Sequence, residues 1–507
     1  MVVRSIIGIV AIVGTGSVAQ AQPVTKARLA ETTALVSRTV DELVKVPGGI
    51  AGYSLVIAAE GQPDVIITRG IANAATGARV TPDTAFYIAS QTKSYTGLLA
   101  AQLDRRGIFP LDTTMGQVWP ALRLPAPLDA SKVTFRQLLS HTEGFDNLPL
   151  GHRTAYTDEV SPRDYPHLLA TGSTAGKPGF QYSNIGYLIY AAALEVRTGR
   201  NWKSWLDTDI FRPLSLKQTY SRSSRIPEKD LAWGHQWDGM KWVPVPPKDD
   251  SIMHAAGGLF ASSRDLAQWI HWQLRDGAGQ SVIPAADFQA THVDIVGGGL
   301  GVGDFGIKCD GYSLGWSTCT FADTAMLYHG GTYPGNRTQL FMLPALKVGV
   351  AISANSDGMT GTLGQIFMSV IASSLLGKPE AADLAKQMIG GYREHVAKQI
   401  ENRHNELAQS LAHARWEGWA WRPDARSLAV YEGVYRNALY GDLRVRRSGT
   451  GLTAQIGVMR RWLRPATEGL FAMQPTPVEM WEPVKFSVEA KRVSRVTFDG
   501  QDYVRVN

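Results

Sequence analysis

Three short motifs occur in one order along the 507 residues: Ser90-Gln91-Thr92-Lys93, Tyr182-Ser183-Asn184 and His329-Gly330-Gly331. That order is the one needed to assemble a single nucleophilic site, so the fold has to bring together residues some 240 positions apart. A serine hydroxyl is a weak nucleophile near neutral pH and needs a base within hydrogen-bond reach, plus donors where charge develops on the attacked carbonyl. The stretch from Gln91 to Leu103 is rich in helix formers, so Ser90 is expected to open a helix. Lys93, three positions on, then shares its face, and the helix N-terminus favours an anionic intermediate. The plain alternative is a serine N-cap followed by a surface lysine.

Tyr182-Ser183-Asn184 follows the turn signal Gly176-Lys177-Pro178-Gly179 and precedes an apolar stretch, Ile185 to Leu194. A phenolate beside an ammonium is stabilised in its charged form, so Tyr182 and Lys93 are expected to share one proton. A half-buried loop tyrosine is the alternative. His329-Gly330-Gly331-Thr332 lies in a run of strand-like segments, where two glycines allow a ligand backbone to approach the strand edge. A lone strand histidine is more often structural, but its neighbours and its place in the order favour a site role.

Together these motifs resemble those of the class C β-lactamase and penicillin-binding-protein-like serine hydrolases, a family that includes D-aminopeptidases, D,D-peptidases and esterases. Supporting segments are Gln137-Leu138-Leu139-Ser140-His141-Thr142-Glu143-Gly144, Ala256-Gly257-Gly258-Leu259, Ser263-Arg264-Asp265-Leu266 and Tyr312-Ser313-Leu314-Gly315-Trp316. The similarity runs from about Glu42 to Asn355. It implies Ser90 as the acylated nucleophile, Lys93 and Tyr182 as the proton-handling pair, and Asn184 as the group orienting Lys93 and the substrate amide. It also implies His329 in place of the usual lysine, Gly331 and Thr332 beside the substrate, and an oxyanion hole from the N–H groups of Ser90 and Thr332. His141 is implied to be a structural turn residue. The implied architecture is α/β of the α+β type: an antiparallel sheet flanked by helices, with an all-helical part inserted between Ser90 and the later strands.

The chain departs from the β-lactamases of this family in two places. Lysine is replaced by His329, and Ser356 to Gln365 holds neither Arg nor Lys, so a substrate carboxylate lacks its usual cationic partners. Arg337 is read either as a substitute carboxylate contact or as a solvated edge-strand residue. Gly311-Tyr312-Ser313-Leu314-Gly315 also fits the G-x-S-x-G pattern of a nucleophile elbow, but strand-like residues follow where that motif requires a helix.

Arg4, the apolar run Ile6 to Val13 and Ala19-Gln20-Ala21 form a signal-peptide pattern, with cleavage expected before Gln22 and a periplasmic or secreted location. The formal charge is +6, or +5 without Arg4. No basic run marks a nucleic-acid or membrane surface, and no metal-ligand spacing or cofactor motif appears. The expected partner is a small-molecule or peptide substrate. Cys309 and Cys319 are either a hairpin disulfide of an oxidising compartment or two separate thiols. The chain divides into the signal peptide (1–21), a hydrolase domain (22–378), a helical linker (379–424) and a small antiparallel β domain (425–507). The last reads as a small all-β antiparallel barrel or sheet; it resembles the barrel-like, lipocalin-like domains attached to some peptidases of the family, and either covers the cleft, governs assembly or acts as a spacer. The activity implied is acyl-enzyme chemistry at Ser90 on small D-residue or cell-wall peptides or on esters. The alternatives are a β-lactamase and a non-catalytic acyl-acceptor.

Overall fold

The computed structural model describes residues 22–506 except 159, 276–282, 303–305, 358–360, 477 and 490–491. The expected signal segment, 1–21, lies outside the described residues. Strands β1 (Gly52–Ala59), β2 (Val65–Asn73), β3 (Ala78–Arg79), β4 (Gly301–Val302), β5 (Ile307–Tyr312), β6 (Ser317–Phe321), β7 (Thr324–Tyr333), β8 (Asn336–Leu343) and β9 (Val348–Ala354) form one antiparallel sheet. Its order is β4-β5-β6-β7-β8-β9-β1-β2-β3. The first strand thus pairs with the last of the domain, Leu55 opposite Ile352.

Every residue of β1 is buried, because helices cover both faces. Side chains alternate across a strand. Leu55 and Ile57 enter a core with Val36 and Val40 of α1 (Lys26–Leu43), while Val56 and Ala58 enter a core with Leu98 and Leu99 of α2 (Thr92–Arg105). Between α2 and the later strands the chain is mainly helical, including α3 (Phe135–Leu139) and α4 (Ile185–Thr198). The expectation of an all-helical insertion needs correction, since short ladders lie within it: Phe145–Asp146 pairs with Thr174–Ala175, Gly234–Trp237 with Trp242–Val245, and Phe260–Ala261 with Thr219–Tyr220.

Helix α5 (Ala381–Ala412) lies where a linker was expected. Its buried residues, Ala385, Met388, Tyr392 and Val396, recur every three or four positions and join the α1 core. Its first half therefore packs as part of the sheet domain. Beyond it, eight strands from Gly433–Asn437 to Gln501–Val506 close into a barrel filled by Tyr435, Leu443, Phe471, Phe486 and Tyr503. Closure removes the free sheet edges that an open sheet of short strands would leave. The barrel docks through its hairpin tip, where the Val458 N–H donates to the Thr157 carbonyl at 2.7 Å. Of the two readings for the cysteines, the structure has the disulfide: Cys309 and Cys319 are directly opposed on β5 and β6 and bonded.

Candidate active site

Ser90 sits in a single 3-10 turn, Ala89–Gln91, that runs into α2. It stands two residues ahead of the first α-helical residue, in the 3-10 turn that leads into the helix. Ala89 lies at φ 46°, a left-handed conformation unfavourable for a residue with a Cβ, so the surrounding structure has to hold the turn in place. Thr338 Oγ1 on β8 donates to the Ile88 carbonyl at 3.0 Å, and the Ile88 N–H donates to the Leu259 carbonyl at 2.9 Å. Gly331 of β7 faces this turn so closely that a Cβ would collide with the Ile88 carbonyl. The bare face of that glycine is thus used by the chain's own backbone and not, as its sequence suggested, by a ligand.

Lys93 lies on the first turn of α2, fully buried. Its Nζ donates to Asn184 Oδ1 at 2.7 Å and to the Ala256 carbonyl at 2.8 Å, and stands 3.3 Å from Ser90 Oγ. Burial holds its pKa well below the usual lysine range. Tyr182 is 38 % exposed at the rim, with its ring centroid 4.9 Å from Lys93 Nζ. Its phenolic end is deep enough that burial pushes its pKa up, against a hydrogen bond with Ser90. The expected pairing of phenolate and ammonium is therefore reversed: the environment favours a neutral amine beside a neutral phenol. Asn184 is positioned by the start of α4, and the Ser183 N–H donates to His141 Nδ1 at 3.3 Å, which fits the implied turn role of His141.

His329 is buried on β7, and burial pushes its pKa down to about 3. Its Nδ1 stands 2.7 Å from the Gly330 carbonyl and its Nε2 3.3 Å from the Tyr312 hydroxyl. Strand β6 pairs with β7 only from Thr324 to Tyr328. From His329 to Tyr333 that side of β7 has no strand partner among the described residues, and there it borders a cleft of about 260 Å³. Ser90, Tyr182, His329, Gly331 and Thr332 line this cleft together. Arg337 lines it too. Because β8 is an interior strand, the edge-strand reading of Arg337 is corrected; its guanidinium pairs with Asp357 at 2.9 Å.

Ser313 lies in the turn joining β5 to β6, its N–H bonded to the Trp316 carbonyl at 2.8 Å, with its hydroxyl buried. A hairpin turn is not the strand-turn-helix that a nucleophile elbow needs. Single-sequence reading missed the Ala256 carbonyl, which carries no side-chain signal, and the Arg337–Asp357 pair, whose partners are 20 positions apart.

The QLLSHTEG segment holds one more buried group. Both carboxyl oxygens of Glu143 are buried and without a hydrogen-bond partner among the described residues, and burial pushes its pKa up to about 8 from an ordinary value of 4.5. The folded protein then retains this proton between those two pH values while the unfolded chain loses it, so stability is full below pH 4.5 and falls as pH rises toward 8. Glu143→Gln is expected to abolish that loss. Its melting temperature should match wild type near pH 4.5 and exceed it increasingly up to pH 8, reflecting a stability gap of at most about 5 kcal/mol at about 1.4 kcal/mol per pH unit. Thermal melts across that range check this.

A serine in a constrained turn leading a helix, with a buried lysine one turn on and a phenol across the cleft, defines the active-site-serine hydrolases of the penicillin-binding type. The sequence model of the Beta-lactamase family matches residues 36–367, about two thirds of the chain, and the chain belongs to that family. It is 26% identical over 400 residues to Unguisins hydrolase ungD' of Aspergillus campestris, covering 72% of this chain and 71% of that protein. Against Protein flp of Staphylococcus aureus the identity is 22% over 310 residues, covering 61% of this chain and 60% of that protein's length. The octameric penicillin-binding protein homologue from Pyrococcus abyssi shares the fold, with a TM-score of 0.58 and 20% identity over 93% of this chain and 99% of that one.

Proposed function

We propose that this chain is an exported serine hydrolase that forms an acyl-enzyme at Ser90 on small peptides of D-residue or cell-wall type, or on small esters. The observation that carries this reading is the environment of Lys93. A neutral amine has two N–H bonds and one lone pair. Asn184 Oδ1 and the Ala256 carbonyl take the two N–H bonds, so the lone pair is left for the Ser90 hydroxyl at 3.3 Å.

Ser90 Oγ attacks the carbonyl carbon as its proton passes to Lys93 Nζ, and the negative charge on the carbonyl oxygen is met by the N–H groups of Ser90 and Thr332. The carbon–leaving-atom bond breaks as Tyr182 donates its proton to the departing nitrogen or oxygen. Lys93 then returns its proton to Tyr182. Water or an amine repeats the sequence on the acyl-enzyme. Export is supported by the leader pattern at 1–21 and by the Cys309–Cys319 disulfide, a bond characteristic of oxidising compartments.

The test is intact-mass spectrometry after mixing with 4-nitrophenyl acetate and with a fluorescent penicillin. One acyl group on the peptide containing Ser90, followed by its release and repeated turnover, is expected. An adduct held for hours on every substrate class tried would mark a non-catalytic acyl-acceptor instead, and label on any other residue would refute the site.

A further inference from the structure

The cleft wall beside His329 is polar yet, among the described residues, offers no free cation. His329 Nδ1 faces a carbonyl oxygen, which can only accept, so Nδ1 carries the ring proton and Nε2 presents a lone pair. Tyr312 does not alter this. Tyr187 donates to the Leu139 carbonyl at 3.0 Å and is hydrogen-bonded with Tyr312, so the single Tyr312 proton goes either to Tyr187 or to His329 Nε2. In both arrangements Nε2 has no proton to donate.

Arg337, the one guanidinium lining the cleft among the described residues, is already committed. Nη2 meets Asp357 at 2.9 Å, and Nη1 donates to the Tyr333 and Asn336 carbonyls at 2.8 and 2.7 Å. The remaining polar lining is neutral. Tyr328 donates to Gln339 Oε1 at 2.5 Å, which leaves the Gln339 amide N–H groups available, and Ser317 Oγ is buried without a partner among the described residues. This wall mixes neutral donors with acceptors, a pattern that suits a peptide unit, a carboxamide or a hydroxyl. A carboxylate accepts only, and would be desolvated here without a counter-charge.

The side of Ser90 on which the wall stands decides which part of the substrate meets it. The leaving atom takes its proton from Tyr182, so it departs on the side of the nucleophile where Tyr182 stands, and the Tyr182 and His329 rings are 6.1 Å apart on that side. We infer that the leaving-group subsite formed by His329, Ser317, Gln339 and the paired Arg337 takes uncharged groups and discriminates against a carboxylate. The substrates are then internal, cyclic or C-terminally blocked peptides and neutral esters, and not peptides that release a residue bearing a free C-terminal carboxylate. This inference rests on the Ser90 reading above.

The probes are two acetate esters of matched shape, 3-carbamoylphenyl acetate and 3-carboxyphenyl acetate, each corrected for its hydroxide-catalysed rate. Wild type is expected to acylate at least tenfold faster, in kcat/KM or in the mass-detected acylation rate, with the carbamoyl ester. Asp357→Asn releases Arg337 and should narrow that preference about tenfold; His329→Lys, which supplies a cation at the wall itself, should narrow it as well. Equal or faster acylation by the carboxy ester in wild type would overturn the inference even with the acetyl group on Ser90. Persistence of both reactions in Ser90→Ala would instead overturn the catalytic reading, which keeps the two failures distinct.

Discussion

Ser90→Ala is expected to lower ester turnover by about 10⁶-fold, the scale of loss when a serine hydrolase is deprived of its nucleophile, while Ser313→Ala retains most of it. The contrast comes from position. Ser90 Oγ lies 3.3 Å from the Lys93 amine and borders the cleft, whereas Ser313 Oγ is buried in a hairpin turn without a hydrogen-bond partner among the described residues. Steady-state kinetics on 4-nitrophenyl acetate, with circular dichroism to confirm folding, checks both variants. Loss of turnover in a folded Ser313→Ala protein would refute the assignment.

Lys93→Met is expected to cost roughly 10²- to 10⁴-fold in kcat/KM, the usual contribution of a positioned general base. Lys93→Arg should not rescue it, because a guanidinium stays charged and has no lone pair to offer. The pH profile provides an independent check. Burial lowers the Lys93 pKa, so the amine is neutral at pH values where an ordinary lysine is charged, and activity falls as pH drops through that depressed value. His329, held near 3, adds no titration above about pH 4, so His329→Asn should leave the acid limb where it is. Tyr182→Phe should slow turnover by a similar factor and let the acyl adduct accumulate wherever deacylation suffers more than acylation.

The three motifs were legible because each couples a reactive side chain to a local signal: a helix start, a turn followed by an apolar helix, and glycines in a strand. The period-two pattern after Ser427 likewise marked a β domain, read as an antiparallel barrel or sheet, and the structure closes it into a barrel. Protonation was not legible. Adjacent residue types suggested an ammonium facing a phenolate, and only the depth of Lys93 and the placement of Asn184 Oδ1 and the Ala256 carbonyl favour the neutral pair. Gly331 shows the same limit, since the sequence signals a bare strand face without saying whether ligand or protein backbone fills it. The first half of α5 read as a linker because its apolar stripe is thin; its burial depends on α1, over 300 residues earlier.

Tyr156, whose ring stacks on Tyr333 at the end of β7 with centroids 6.0 Å apart, belongs to the segment Arg153–Thr157 on which the barrel hairpin rests. His152, just ahead of it, pairs with Asp499 of the barrel at 3.2 Å. Two parts of the chain that fold around separate cores therefore meet at this segment, which also stacks on the end of the strand that carries His329. A chain that ended after α5 would keep Ser90, Lys93 and Tyr182 while losing the barrel contacts that brace the segment bearing Tyr156.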